Sequence, residues 1–81
     1  MSHTLDVLQP GDEAVVSAIN CEPEAAQRLM EMGLLPGTPI QVVRFAPLGD
    51  PIEILMRGYH FSLRKVEAAG IVVETSPLKK P

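Results

Sequence analysis

Hydrophobic and polar positions alternate along most of the chain, which is the pattern of β-strands with one buried face. The clearest alternation is in residues 52–57, where Ile52, Ile54 and Met56 occupy every second position. The same spacing, interrupted by glycines and prolines, predicts strands over residues 13–19, 40–46, 52–57, 59–63 and 71–75. A short helical turn over residues 66–70 is predicted before the last strand.

One segment follows a helical period instead. Pro23 opens it, because a proline in the first turn lacks only an N–H that would be unpaired there. Ala25, Leu29 and Met32 recur at helical spacing and are expected to form the buried stripe. Gly33 is expected to end the helix, where a left-handed residue is favoured.

Five short strands in so few residues are expected to close on themselves, since closure removes exposed sheet edges. We therefore predict a mainly β fold, a small SH3-like β-barrel of about five strands with one inserted α-helix. The length of 81 residues allows a single core, which we place in residues 1–75. Residues 76–81 are expected to be a flexible C-terminal tail.

Composition and charge exclude several classes of function. The net charge is −3, so the chain lacks the electrostatic attraction that dominates nucleic-acid affinity, and no nucleic-acid partner is expected. There is no signal-peptide pattern and no apolar run of the ~20 residues that span a bilayer, which favours a cytoplasmic location. The sequence shows neither a triad-like grouping of Ser, His and acid nor a Gly-rich phosphate loop, so we do not expect an enzyme.

Four motifs in a fixed order resemble the FeoA family. They are the helix end at residues 28–34 (RLMEMGL), the turn at residues 36–38 (PGT), the loop at residues 46–51 (APLGDP) and the segment 63–65 (LRK). The resemblance extends over about residues 5–74. The proline-flanked Leu-Gly-Asp loop, placed after a Met-Gly-Leu helix end, is the most specific of these features.

The resemblance implies a role in bacterial ferrous iron uptake. FeoA-like proteins are small cytosolic accessories of the membrane transporter FeoB, expected to act on its cytosolic GTPase part, and they have an SH3-like barrel with an inserted helix. Similar domains at the C-terminus of metal-dependent repressors leave a transition-metal-binding regulatory module as the alternative. On the first interpretation the membrane is reached only indirectly, through the transporter, and self-association is left open.

Four apolar residues are candidates for partner binding. Leu48 is expected at a loop tip, where a turn does not require an apolar side chain and exposed apolar surface often marks a contact. Met30, Leu34 and Leu35 border the end of the helix. There, covering the end of the barrel and docking on a partner are alternative roles, and methionine suits both.

The loop that carries Leu48 contains four residues expected to fix its shape. Pro47 and Pro51 restrict the backbone on either side, and Gly49 supplies the conformation of a turn. Asp50 is expected to cap a neighbouring N–H. These roles need no ligand.

Three residues are the best candidates for transition-metal ligands: His60, Cys21 and His3. A closed metal site usually shows paired ligands at short spacing, and the sequence has no such pair. His60 is expected on the outer face of the barrel, His3 in a flexible terminus, and Cys21 half-buried before the helix. We therefore expect no required cofactor and at most weak divalent-metal binding.

Two further functions have less support in the sequence. An SH3-like adaptor for proline-rich peptides needs a groove lined with aromatic residues, whereas this chain has three aromatic residues and no tryptophan. An arginine donated to a GTPase partner would stabilise the transferred phosphoryl group. Such an arginine needs a mobile loop, and none of the four arginines clearly lies in one.

Overall fold

The computed structural model describes residues 2–75, so the predicted tail at 76–81 lies outside the described residues. Six strands, one main helix and one helical turn account for most of this range. In chain order the elements are β1 (Ser2–Thr4), a 3₁₀ turn (Leu5–Val7), β2 (Glu13–Ile19), α1 (Pro23–Glu31), β3 (Pro39–Phe45), β4 (Ile52–Met56), β5 (Tyr59–Leu63), α2 (Lys65–Ala68) and β6 (Ile71–Glu74).

The strands form one antiparallel sheet in the order β1-β6-β2-β3-β4-β5. Buried residues from β2 to β6 all belong to a single core cluster, so the sheet curls around that core instead of lying flat. The predicted mainly β, SH3-like architecture is confirmed, with six strands in place of about five. No helix within residues 2–75 is long and apolar enough to cross a membrane.

The alternation predicted for β4 is confirmed. Ile52, Ile54 and Met56 are each at most 1% exposed. They pair with every second residue of β5, namely Leu63, Phe61 and Tyr59. Phe61 and Leu63 of β5 are buried with them. This period-2 burial is what forms the barrel wall.

A β-bulge in β3 changes which residues face the core. Strict alternation along the strand would place Phe45 on the face opposite Ile40 and Val42. The register shifts between Val42 and Arg44, and Phe45 packs partly buried against the core. An extra residue in one strand reverses the alternation beyond it, which is why the simple pattern was wrong here.

The N-terminal strand β1 was not predicted. Ser2–Thr4 pairs with Val72–Glu74 of β6, and His3 lies opposite Val73. His3 is therefore part of the sheet and not in a flexible terminus. Three residues are too few to show an alternation, so the pairing had no signal in the sequence.

Helix α1 begins at Pro23 as predicted, but its buried face differs from the predicted stripe. Leu29 is fully buried and Ala26 is 8% exposed, whereas Met32 is 46% exposed and Ala25 is half-buried. Apolar residues occupy more than one face of this helix, so the helical period alone did not select the buried one.

The position of α1 follows from contacts at its two ends. Beyond its C-terminus, the carbonyl of Met32 accepts a hydrogen bond from the Tyr59 hydroxyl at the start of β5, with an O···O distance of 2.7 Å. Near its N-terminus, the Cys21 thiol lies 3.4 Å from the carbonyl oxygen of Glu67 in α2, which follows β5. The C-terminal end of α1 therefore lies at the start of β5, and the segment before α1 lies at α2.

Candidate docking surfaces

The turn after α1 divides two adjacent leucines between the core and the surface. The buried Thr38 hydroxyl accepts a hydrogen bond from the Leu35 N–H at 3.1 Å and donates one to the Gly33 carbonyl at 3.3 Å. Gly33 and Gly37 have positive φ angles of 103° and 95°, conformations that favour glycine. This network places Leu34 fully in the core and leaves Leu35 41% exposed. Leu34 is therefore not available as a surface contact, contrary to the expectation from sequence.

Four large hydrophobic side chains are exposed around the end of α1. Met30 is 39% exposed, Met32 46%, Leu35 41% and Tyr59 44%. We call these four residues the helix-end cluster. Met30 and Leu35 were candidates from the sequence, whereas Met32 was expected in the buried stripe and Tyr59 was not selected. The hydrogen bond from Tyr59 to Met32 brings β5 to the helix end, and no short-range sequence signal could have shown that.

The loop between β3 and β4 is held by hydrogen bonds within itself and to α2. The Gly49 N–H donates to the Ala46 carbonyl at 2.7 Å, and the Ala46 N–H donates to the Pro51 carbonyl at 2.9 Å. Gly49 has a φ of +88°. The Asp50 carboxylate accepts a hydrogen bond from the Lys65 N–H at 2.9 Å, at the first residue of α2. Asp50 therefore ties the loop to the start of α2.

Two side chains project beside the hydrogen bond between Asp50 and Lys65. Leu48 is 96% exposed, and Val66 in α2 is 78% exposed. We call them the loop-tip pair. The sequence selected Leu48 but not Val66, because a valine in a helical turn is usually directed at the core.

The helix-end cluster and the loop-tip pair lie at opposite ends of β4. The loop that carries Leu48 precedes Ile52, whereas Tyr59 follows Met56 across the tight turn at Arg57 and Gly58. A five-residue strand separates its ends by roughly 13 Å. The residues selected for partner binding therefore form two surfaces, not one.

A shallow groove of about 360 Å³ lies along β2 and β3 and extends to the turn at Arg57 and Gly58. Val15, Ile40 and Leu55 provide apolar parts of its lining, and Arg57 and Glu74 contribute charge. None of the site residues selected from the sequence lines this groove.

The three candidate metal ligands occupy different elements. His3 is in β1 and His60 in β5, which stand at the two ends of the sheet order. Cys21 precedes α1 and packs partly buried against the core. Burial raises the pKa of the Cys21 thiol, the neighbouring Glu67 raises it further, and Arg28 acts in the opposite direction. Within residues 2–75 no group of three or more His, Cys, Asp or Glu side chains is placed to hold a metal ion.

His60 instead belongs to a polar row across the outer face of the sheet. Its Nδ1 contacts the carboxylate of Glu53 on the neighbouring strand, and Arg44 Nε lies 2.9 Å from the other oxygen of that carboxylate. These contacts lower the pKa of Glu53, the hydrogen bond from Arg44 most strongly and that with His60 next. Cross-strand pairs of this kind help to fix the register of exposed strands.

The curled six-stranded sheet with one main helix defines the class of protein: a small SH3-like domain. Within that class the chain belongs to the FeoA family, since the FeoA domain model matches residues 3–75.

Three relatives illustrate the relationship. A Fe(2+) transport protein A/Fe(2+) transporter FeoB fusion protein of Porphyromonas gingivalis is 40% identical over 70 residues, which cover 86% of this chain and 8% of the fusion protein. The solution structure of FeoA from Chlorobium tepidum is 41% identical, with a TM-score of 0.89 over 96% of this chain and 74% of that one. The crystal structure of Stenotrophomonas maltophilia FeoA complexed with zinc is 30% identical, with a TM-score of 0.77 and 89% of each chain covered. That protein is described as a prokaryotic SH3 domain protein and a candidate activating factor of ferrous iron transport.

Proposed function

We propose that this chain is a non-enzymatic accessory of bacterial ferrous iron uptake that binds the cytosolic GTPase part of FeoB. The observation that carries the proposal is the P. gingivalis fusion protein, in which a 40% identical region belongs to a polypeptide that also contains FeoB. Two proteins joined in one chain in one organism commonly act together when they are separate in another. This chain matches 8% of the length of the fusion protein.

The helix-end cluster is the surface best suited to bind a protein. Protein interfaces are enriched in tyrosine and methionine, and their strongest contacts are rigid, partly buried side chains. Met30, Met32 and Tyr59 are of these types, and each is more than half-buried. The hydrogen bond from the Tyr59 hydroxyl to the backbone carbonyl of Met32 holds the tyrosine side chain in place before any partner arrives, which reduces the entropy lost on binding.

The test is binding of the purified chain to FeoB of the same organism, measured with full-length transporter and with its isolated cytosolic GTPase domain. We expect saturable binding to both, and a change in GTP hydrolysis or iron uptake when this chain is added. Binding to the full-length protein alone would move the contact to another part of FeoB. Absence of binding to either would contradict the proposed function.

The alternative, a metal-binding regulatory module, draws on the zinc complex of the S. maltophilia relative. That zinc belongs to the relative. In this chain His3, Cys21 and His60 lie on separate elements, so they do not make one site. The fusion to a transporter gives the accessory role the more specific support.

A further inference from the structure

Charge is distributed unevenly along this chain. Residues 2–43 contain six carboxylates and a single arginine, whereas residues 44–67 contain four Lys and Arg residues and three carboxylates. Two of those carboxylates face cations: Glu53 contacts Arg44 and His60, and Glu67 contacts Arg28. The third, Asp50, lies at the loop-tip end, where it accepts a hydrogen bond from the Lys65 N–H. Arg64 and Lys65 therefore leave one net positive charge at this end.

Two of these cations stand beside the loop-tip pair. Arg64 and Lys65 directly precede Val66, and the hydrogen bond from the Lys65 N–H to Asp50 brings the loop with Leu48 to the same place. Both side chains are exposed, and neither forms an ion pair within residues 2–75. Two exposed aliphatic side chains and two cations without an ion pair thus lie close together, beside the Asp50 carboxylate.

We propose that this end, formed by Leu48, Val66, Arg64 and Lys65, binds an anionic phospholipid surface. Apolar side chains of interfacial proteins enter the boundary between headgroups and acyl chains, while adjacent Lys and Arg pair with lipid phosphates. The proposal does not depend on the proposed binding to FeoB, because it concerns the isolated chain and lipid. The sequence led us to expect that the chain reaches the membrane only through the transporter, whereas this proposal adds a direct contact between the chain and lipid.

The shape of the surface favours lipid over a protein partner. Leu48 is 96% exposed, so almost none of its surface is supported by neighbouring residues. A fluid interface accepts such a projecting side chain without a complementary pocket. A stable protein interface buries about 800 Å² on each partner, and its strongest contacts are seldom Leu or Val.

The expected affinity is modest. Even a myristoyl chain partitions with a constant of only about 10⁴ M⁻¹, and two short aliphatic side chains insert less apolar surface. Binding would therefore be reversible, and it would orient the acidic remainder of the molecule away from the anionic surface. A weak lipid contact of this kind raises the local concentration of the chain near a membrane protein.

The experiment is flotation of the full chain with vesicles of equimolar phosphatidylglycerol and phosphatidylcholine, compared with vesicles of phosphatidylcholine alone. We expect about a fivefold preference for the anionic vesicles, the factor that one net surface cation supplies once the Asp50 carboxylate is counted. Arg64→Gln/Lys65→Gln should remove most of this preference. Leu48→Ser should weaken binding to anionic vesicles about tenfold, as expected for losing part of one buried leucine.

Two control variants make the result specific. Leu35→Ser removes a similar apolar side chain from the helix-end cluster and should leave vesicle binding unchanged. Lys79→Gln/Lys80→Gln tests the lysines outside the described residues and should have a smaller effect than the change at Arg64 and Lys65.

In the vesicle assay, any of four results would overturn the proposal. They are absence of binding, equal binding to both vesicle types, unchanged binding of the Leu48→Ser variant, and loss of binding only in the Lys79→Gln/Lys80→Gln variant. Weaker binding of Leu48→Ser to detergent-free FeoB domain, with vesicle binding intact, would identify the surface as a protein contact and would equally overturn it.

Discussion

At the scale of single residues, two adjacent leucines have opposite environments. Leu34 is fully buried and Leu35 is 41% exposed, because hydrogen bonds from and to the Thr38 hydroxyl fix the turn that follows α1. Both leucines were candidates for docking, since a pattern of hydrophobic residues cannot say which of two neighbours faces inward beyond a helix end. Leu48, in contrast, was expected at the surface and is almost completely exposed there.

Truncation of these leucines should therefore have unequal effects on stability. We expect Leu34→Ala to lower the free energy of unfolding by about 2–5 kcal/mol, because it leaves a cavity in the core. Leu48→Ala should change it by less than about 0.5 kcal/mol. Urea denaturation followed by circular dichroism measures both. Similar losses in the two variants would mean that Leu48 packs against the protein.

Glu53 gives a prediction about pH. Its pKa is lowered from the ordinary value of 4.5, mainly by Arg44. A carboxyl whose pKa is lower in the folded state stabilises the fold fully above its unfolded pKa, and this contribution is lost as the pH falls through the folded pKa. We expect Arg44→Ala to raise the pKa of Glu53 towards 4.5, as measured by NMR titration of its carboxyl carbon. High salt should also raise the pKa of Glu53, because it screens the attraction of Arg44. Arg64→Ala serves as the control, and an unchanged Glu53 pKa in Arg44→Ala would contradict the assignment.

At the scale of elements, the residues that interrupt regular structure were the most informative part of the sequence. Pro23 and Gly33 bounded α1, and the Pro-Gly turn at Pro36 and Gly37 preceded β3, whose observed bounds differ from the prediction by one residue at each end. The features that the sequence did not predict depend on contacts between residues far apart in the chain. Strand β1 exists because β6 pairs with it, and the exposure of Met32 reflects how α1 lies against β5.

Asp50 links the loop between β3 and β4 to the start of α2, so its removal should destabilise both. We expect Asp50→Ala to destabilise the protein by about 1 kcal/mol, the usual effect of losing a side chain that caps the start of a helix. Asp50→Asn keeps an acceptor oxygen and should lose only part of this. Denaturant unfolding, with amide hydrogen exchange at Lys65, distinguishes the two variants. Equal stability of Asp50→Ala and the wild-type chain would show that the tie between loop and α2 contributes nothing.

At the scale of the whole molecule, the two exposed apolar surfaces lie at opposite ends of β4 and differ in character. The helix-end cluster is aromatic and methionine-rich and is more than half-buried, whereas the loop-tip pair is aliphatic, projecting and next to unpaired cations. From the sequence, Met30, Leu35 and Leu48 were candidates for partner binding together. Their positions along the chain do not reveal that β4 separates Leu48 from the other two. We propose that the first surface binds FeoB and that the second binds lipid.

The most direct test of the central claim is the affinity of variants for the isolated cytosolic GTPase domain of FeoB, measured without lipid. A Met32→Ser/Leu35→Ser variant retains the backbone carbonyl that Tyr59 contacts, and we expect its Kd to increase at least about tenfold, a loss of ~1.4 kcal/mol. Val7→Ser, at an exposed valine outside both surfaces, and Leu48→Ser should bind like the wild-type chain. Unchanged affinity of the Met32→Ser/Leu35→Ser variant, or a loss confined to Leu48→Ser, would contradict the account.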